Sequence, residues 1–167
     1  MIDVDLGMLL LRAPVGLLLA GHGVQKLFGW FGGDGPAATG EAFESLGYRH
    51  GRAMAVVAGL TEVGAGLGLA AGLLTPLAAA GVIGVMANAA VSAHGRAGLW
   101  AQHGGYEYPL VVASVAAGVA LHGPGAFSVD GVVGLADGGL GPGLGAIGLG
   151  VLSAVAVLAT RREVAPR

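Results

Sequence analysis

The sequence contains no cysteine. That removes disulfides, thiolate nucleophiles, iron–sulfur clusters and cysteine-ligated metals from the chain's own repertoire. Redox chemistry here needs a bound cofactor or a partner. Charge is scarce as well: 11% of residues are charged, and the formal net charge is −2. A balance that small carries no electrostatic footprint for nucleic acid. None of the five histidines stands in an HxxH, HxxxH or ExxH spacing, so no metal-binding pair shares a helix face. A secretory leader's positive start is also missing. Asp3 and Asp5 stand there instead, and the apolar run behind them is too long for a signal core, so the first helix is expected to stay in the mature protein.

What is present is apolar sequence: 54% of the 167 residues are hydrophobic and the mean hydropathy is +0.77. This lies well outside the balance of a soluble domain and predicts an all-α integral membrane helical bundle, multi-pass in the cell membrane. An apolar segment of about 20 residues crosses a hydrocarbon core. Five segments are predicted to do so: 6–30, 52–74, 76–94, 107–122 and 144–160. The first two are joined by a polar, glycine-rich stretch. Asp34-Gly35-Pro36 reads there as a turn, with a short helix predicted over 39–46. Thr75-Pro76 makes the next turn tight, because proline disfavours helix in the residue before it. Gly64, Gly68 and Gly72 recur every four residues, which predicts a close-packing face against another helix, in this bundle or in a second copy.

With five spans, Lys26, Arg49, Arg52, Arg96, Arg161, Arg162 and Arg167 all fall on one side. The positive-inside rule then places the C-terminus in the cytoplasm. Phe28, Trp30, Phe31, Tyr48, Trp100, Tyr106 and Tyr108 fall on the same side, as an interfacial aromatic belt would. Arg161-Arg162 reads as a stop signal at anionic membrane lipid.

Charges inside spans need partners. Arg12 lies roughly 10 Å from the outer end of its span, and Glu62 and Asn88 roughly 18 Å from theirs. An arginine can bridge that gap, which predicts an Arg12–Glu62 pair with Asn88 beside it. The pair is either a buried lock on helix register or, with His22, a quinone-headgroup or proton-relay site. Lys26 and Glu107 are predicted to form an interfacial salt bridge. His22 and His94 are the one histidine pair at comparable depth, the arrangement a b-type haem would need, although a histidine at a helix end more often only hydrogen-bonds at the interface. Asp130, in a Gly-Pro-Gly loop expected outside the membrane, reads as a helix cap or a docking point for a partner.

Several of these residues together resemble the DoxX family. They are Arg12, Gly21-His22-Gly23 with Gln25-Lys26-Leu27, Glu62 before Gly64 and Gly66, Tyr106-Glu107-Tyr108, and Gly123-Pro124-Gly125 with Ser128-Val129-Asp130. The resemblance covers about residues 6–131. It implies a four-helix transmembrane domain over 1–131, with residues 132–167 adding a glycine-rich loop, a fifth transmembrane helix and a basic tail. It also implies a membrane subunit or anchor of an oxidoreductase complex, like the related subunits of thiosulfate- or quinol-oxidising complexes and the membrane partners of thiol-stress enzymes. The alternatives are a protein that binds quinone itself, or a small transporter or channel. Membrane lipid and a protein partner or second copy are the expected partners.

Overall fold

The computed structural model describes residues 2–136 and 138–162. Arg167, counted above with the basic tail, lies outside the described residues. The described chain is all α: α1 (Ile2–Phe28), α2 (Gly35–Ser45), α3 (Gly51–Ala71), α4 (Thr75–Ala89), α5 (Glu107–His122), α6 (Val129–Val132) and α7 (Leu140–Leu158). α4 continues through a π-helical turn, Ala90–His94, and a 3₁₀ turn, Gly95–Ala97. α1, α3, the extended α4 and α7 are each long and apolar enough to cross a membrane. α5, expected to be the fourth span, has only 16 residues, about 24 Å of helix against a hydrocarbon core of about 30 Å.

The long helices and α5 alternate in direction, so two faces can be named. The N face carries the start of α1, the α3–α4 turn, α6 and the start of α7. The C face carries α2, the 98–106 loop and the end of α7. α4 is the central helix, packed on α3, α5 and α7. Its Ala79, Val82 and Met86 are buried with Val112, Ala116 and Val119 of α5 and Ala146 of α7. Outward-facing leucines such as Leu10, Leu17 and Leu18 of α1 are exposed. Water would leave such a surface sticky. For a bundle whose backbone groups are satisfied inside helices, it is the lipid-facing surface of a multi-pass membrane protein.

The helix contact that glycine makes is not the predicted one. α1 and α3 meet at Gly16 and Gly23 on one side and Gly59 and Gly66 on the other. A Cβ on Gly66 would stand 2.6 Å from the Gly16 carbonyl oxygen and 2.7 Å from the Ala20 amide. By contrast nothing lies within 4 Å of a Cβ built on Gly64, Gly68 meets only Ala78 and Leu73, and Gly72 is the left-handed cap of α3 at φ +63°. Within this bundle the three predicted glycines thus form no continuous packing face.

α2 also begins earlier than predicted. Pro36 sits in its first turn, where a missing amide costs nothing and the fixed φ suits a helix. Gly40 of α2 lies against the backbone of Gly51 and Arg52, and Glu44 accepts the Gly51 amide at 3.1 Å. α2 therefore caps α3 and is held as a shelf on the C face.

Candidate functional site

The predicted polar cluster of Arg12, His22, Glu62 and Asn88 is divided among three places. Arg12 and Glu62 are both buried, but they do not pair. Side chains on a helix lean toward its N-terminus. α1 and α3 run in opposite directions, so Arg12 leans to the N face and Glu62 to the C face.

Arg12 is caged by carbonyl oxygens. Its Nε donates to Pro124 at 3.0 Å, Nη1 to Leu69 at 3.4 Å and to Ala70, and Nη2 to Phe127. The Gly-Pro-Gly stretch therefore folds inward over the guanidinium. Gly72 is required under it: a Cβ there would be 2.5 Å from that of Ser128 and 3.1 Å from the Arg12 guanidinium carbon. Asp130 closes the lid from above. Its carboxylate accepts the Leu74 amide at 2.9 Å, and the Thr75 amide and hydroxyl at 2.8 and 2.7 Å, capping the start of α4. Asp5 ties down the same loop by accepting the Ala126 amide at 2.9 Å.

Burial pushes the Asp130 carboxyl up, yet the bonds from Thr75 and Leu74 and the nearby Arg12 charge outweigh it and hold the group below its ordinary value of 3.8. A depressed carboxylate pKa adds stability that is full above the unfolded value and is lost as pH falls through the folded one. The loss in melting temperature caused by Asp130→Asn is therefore expected to be complete at pH 7 and to shrink below pH 3.8. A difference between the two proteins that stays constant down to pH 3 would contradict this.

Glu62 pairs instead with Lys26, Nζ to Oε2 at 2.7 Å, the one salt bridge among the described residues. Glu107, the predicted partner of Lys26, accepts the Ala101 amide at 2.9 Å and so folds the loop before α5. A double-mutant cycle on Lys26→Gln and Glu62→Gln should show clear coupling in thermal unfolding. The same cycle on Arg12 and Glu62 should be additive within about 0.5 kcal/mol. The reverse result would restore the pairing read from the sequence.

His22 is exposed on the seam of α1 and α5. Its Nδ1 donates to Gln25 Oε1 at 3.0 Å, and its ring meets Tyr108 edge-on at 5.6 Å. His94 belongs to other surroundings, its Nδ1 donating to the Gly104 carbonyl at 2.7 Å.

Glu62, Asn88, Lys26 and His94 share one feature: a groove of about 760 Å³ between α3 and α4, walled by α7 and floored at the C face by α2 and Tyr48. Gly64 leaves its α3 wall without a side chain, since a Cβ there meets nothing within 4 Å. Toward the N face it is lined by Leu73, Leu74 and Leu77. Toward the C face it gains Lys26, Tyr48, Asn88, Ser92 and His94. A pocket of this size, mostly apolar with a few polar groups gathered at one end, suits an amphipathic small molecule.

Asn88 itself is spent inside the protein, accepting the Tyr48 hydroxyl and donating to Ala154 at 3.4 Å. Tyr48 is buried, so it belongs to the groove floor and not to the aromatic belt; Phe28, Trp30, Phe31 and Trp100 are exposed as a belt requires. Arg161 is likewise drawn inward. Its Nε donates to Leu46 at 2.8 Å and its guanidinium lies over the Tyr48 ring at 5.2 Å, while the Arg162 amide donates to Gly47 at 2.8 Å. Tyr48 and Ser92 line the groove, and neither is legible as a site residue in the sequence. Ala-Val-Ser-Ala-His carries no pattern that announces a π-helical turn.

A family model described as DoxX matches residues 7–95, which span α1 to the π-helical turn and so hold Arg12, Lys26, Glu62 and the α3 and α4 walls of the groove. No curated protein and no solved structure matches the chain in the same comparisons. The match takes in more than half of the sequence, and this small multi-pass membrane protein belongs to the DoxX family.

Proposed function

We propose that this protein is a membrane subunit of an oxidoreductase complex and that its groove holds an isoprenoid quinone or quinol for that complex. The groove carries the reading. It opens among bilayer-facing helices, its apolar end fits a prenyl chain, and its polar end gathers groups that can hydrogen-bond a ring oxygen. The stretch from Asn88 to Leu74 along α4 is about 21 Å, room for several prenyl units. Gly64 leaves the wall open where a larger residue would close it. When bound, the quinone would supply the electron-carrying chemistry that a chain without cysteine lacks. The residues here bind and orient it.

The proposal is tested by purifying the full chain from gently solubilised membranes, then identifying both co-purifying proteins and extracted lipids by mass spectrometry. An oxidoreductase subunit and a quinone enriched over bulk membrane are expected. A chain that migrates alone with no enriched quinone would overturn both parts. We further propose that the C face is cytoplasmic, since Lys26, Arg49, Arg52, Arg96, Arg161 and Arg162 lie at the ends of helices on that side. A reporter fused to the C-terminus should be active only when it reads the cytoplasm; activity requiring export would reverse the orientation.

A further inference from the structure

We infer that the polar end of the groove is built to accept hydrogen bonds and therefore selects the reduced, dihydroxy-aromatic form of its ligand over the quinone, with His94 as the specificity-determining residue. This rests on the groove reading above and adds to it which redox form is held.

A carbonyl oxygen only accepts, so the contact with Gly104 puts the imidazole proton of His94 on Nδ1. In the neutral ring Nε2 is then a bare acceptor. It has no hydrogen-bond partner among the described residues, and His94 lines the groove. The fixed tautomer comes from the π-helical turn Ala90–His94, which ends α4 beside the 98–104 loop; single π turns are concentrated at functional sites.

Three hydroxyl groups along the groove are oriented in the same sense. Tyr48 donates to Asn88, Thr61 to the Val57 carbonyl at 2.8 Å and Ser153 to the Gly150 carbonyl at 2.7 Å. Each has spent its one proton inside the protein, leaving only oxygen lone pairs for a ligand. A quinone ring offers two carbonyl oxygens and no donor, so against these groups it is left unpaired. A quinol offers two O–H donors. Lys26 and Ser92 are the counterweight: one ammonium proton goes to Glu62, and the others, like the Ser92 hydroxyl, are available to a ring oxygen of either form.

The test uses the full chain in phosphatidylcholine nanodiscs under anaerobic conditions, with empty nanodiscs as the partition blank. The probes are a short-chain isoprenoid benzoquinol, the corresponding quinone, and the quinol's dimethyl ether, which keeps shape and loses both donors. The quinol should bind about tenfold more tightly than either other probe, the worth of one well-placed hydrogen bond. His94→Phe should remove that preference, bringing quinol affinity down to that of the dimethyl ether. Equal binding of all three probes would overturn the inference while leaving the groove as an occupied site. A preference that persists in His94→Phe would overturn the role of His94. Retention no greater than in empty nanodiscs would overturn the groove reading and this inference with it. Should His94→Phe not fold, the quinol and its ether on the unaltered protein decide the question.

Discussion

Arg12→Gln is expected to lower stability by about 3–5 kcal/mol, because several buried carbonyl oxygens lose their donor at about 1–3 kcal/mol each. The guanidinium donates to carbonyls of Leu69, Ala70, Pro124 and Phe127, so it joins α1 to the end of α3 and to the loop after α5. Glutamine has one amide group to replace a fork of five donors, and buried carbonyls left unpaired each carry a desolvation cost. Arg12→Lys should recover only part, because an ammonium is a point donor and not a planar fork. Thermal unfolding in nanodiscs measures both. A loss within about 0.5 kcal/mol, the range of an ordinary surface substitution, would mean that the carbonyl cage holds nothing together.

The second large effect is expected at Gly66→Leu. The backbones of α1 and α3 approach so closely there that a side chain must push the helices apart. In a membrane, where lipid is as apolar as leucine, close packing of this kind is a main source of helix association. Overpacking commonly costs about 1–3 kcal/mol, and here the obstacle is backbone, which cannot turn aside as a flexible side chain would. Gly64→Leu, two residues away, should leave the melting temperature nearly unchanged, since a Cβ at Gly64 meets nothing within 4 Å. Equal losses from the two substitutions would contradict the assigned α1–α3 contact.

These two positions also show what the sequence made legible. That Arg12 is an intramembrane charge requiring partners followed from its place in an apolar run, and so did the all-helical, multi-pass class. Its partner did not follow. Helical rise compares depths of Cα atoms, whereas the lean of each side chain toward its own N-terminus separates Arg12 from Glu62 and brings Glu62 to Lys26. Glycine spacing was similarly underdetermined. With 34 glycines in the chain, a repeat of four over Gly64, Gly68 and Gly72 is as easy to find as the spacing of seven that pairs Gly59 and Gly66 with Gly16 and Gly23. The groove was the least legible feature, because α3, α4 and α7 wall it together and its floor includes a tyrosine delivered from the loop before α3. For Asp130 the sequence left a helix cap and a docking point open, and only the fold shows that it caps α4, 55 residues before it.

The central claim, an amphipathic ring compound seated in the α3–α4 groove, is tested most directly by photo-cross-linking. A photoactivatable, ring-substituted isoprenoid quinone analogue is irradiated with the protein in nanodiscs and the adducts are mapped by peptide sequencing. Adducts should concentrate on residues 88–94 and around Tyr48, compete with unlabelled quinol, and disappear in Gly64→Leu, whose side chain fills the groove. Adducts spread over the lipid-facing leucines of α1 and indifferent to Gly64→Leu would show that the ring compound samples the bilayer and not this site.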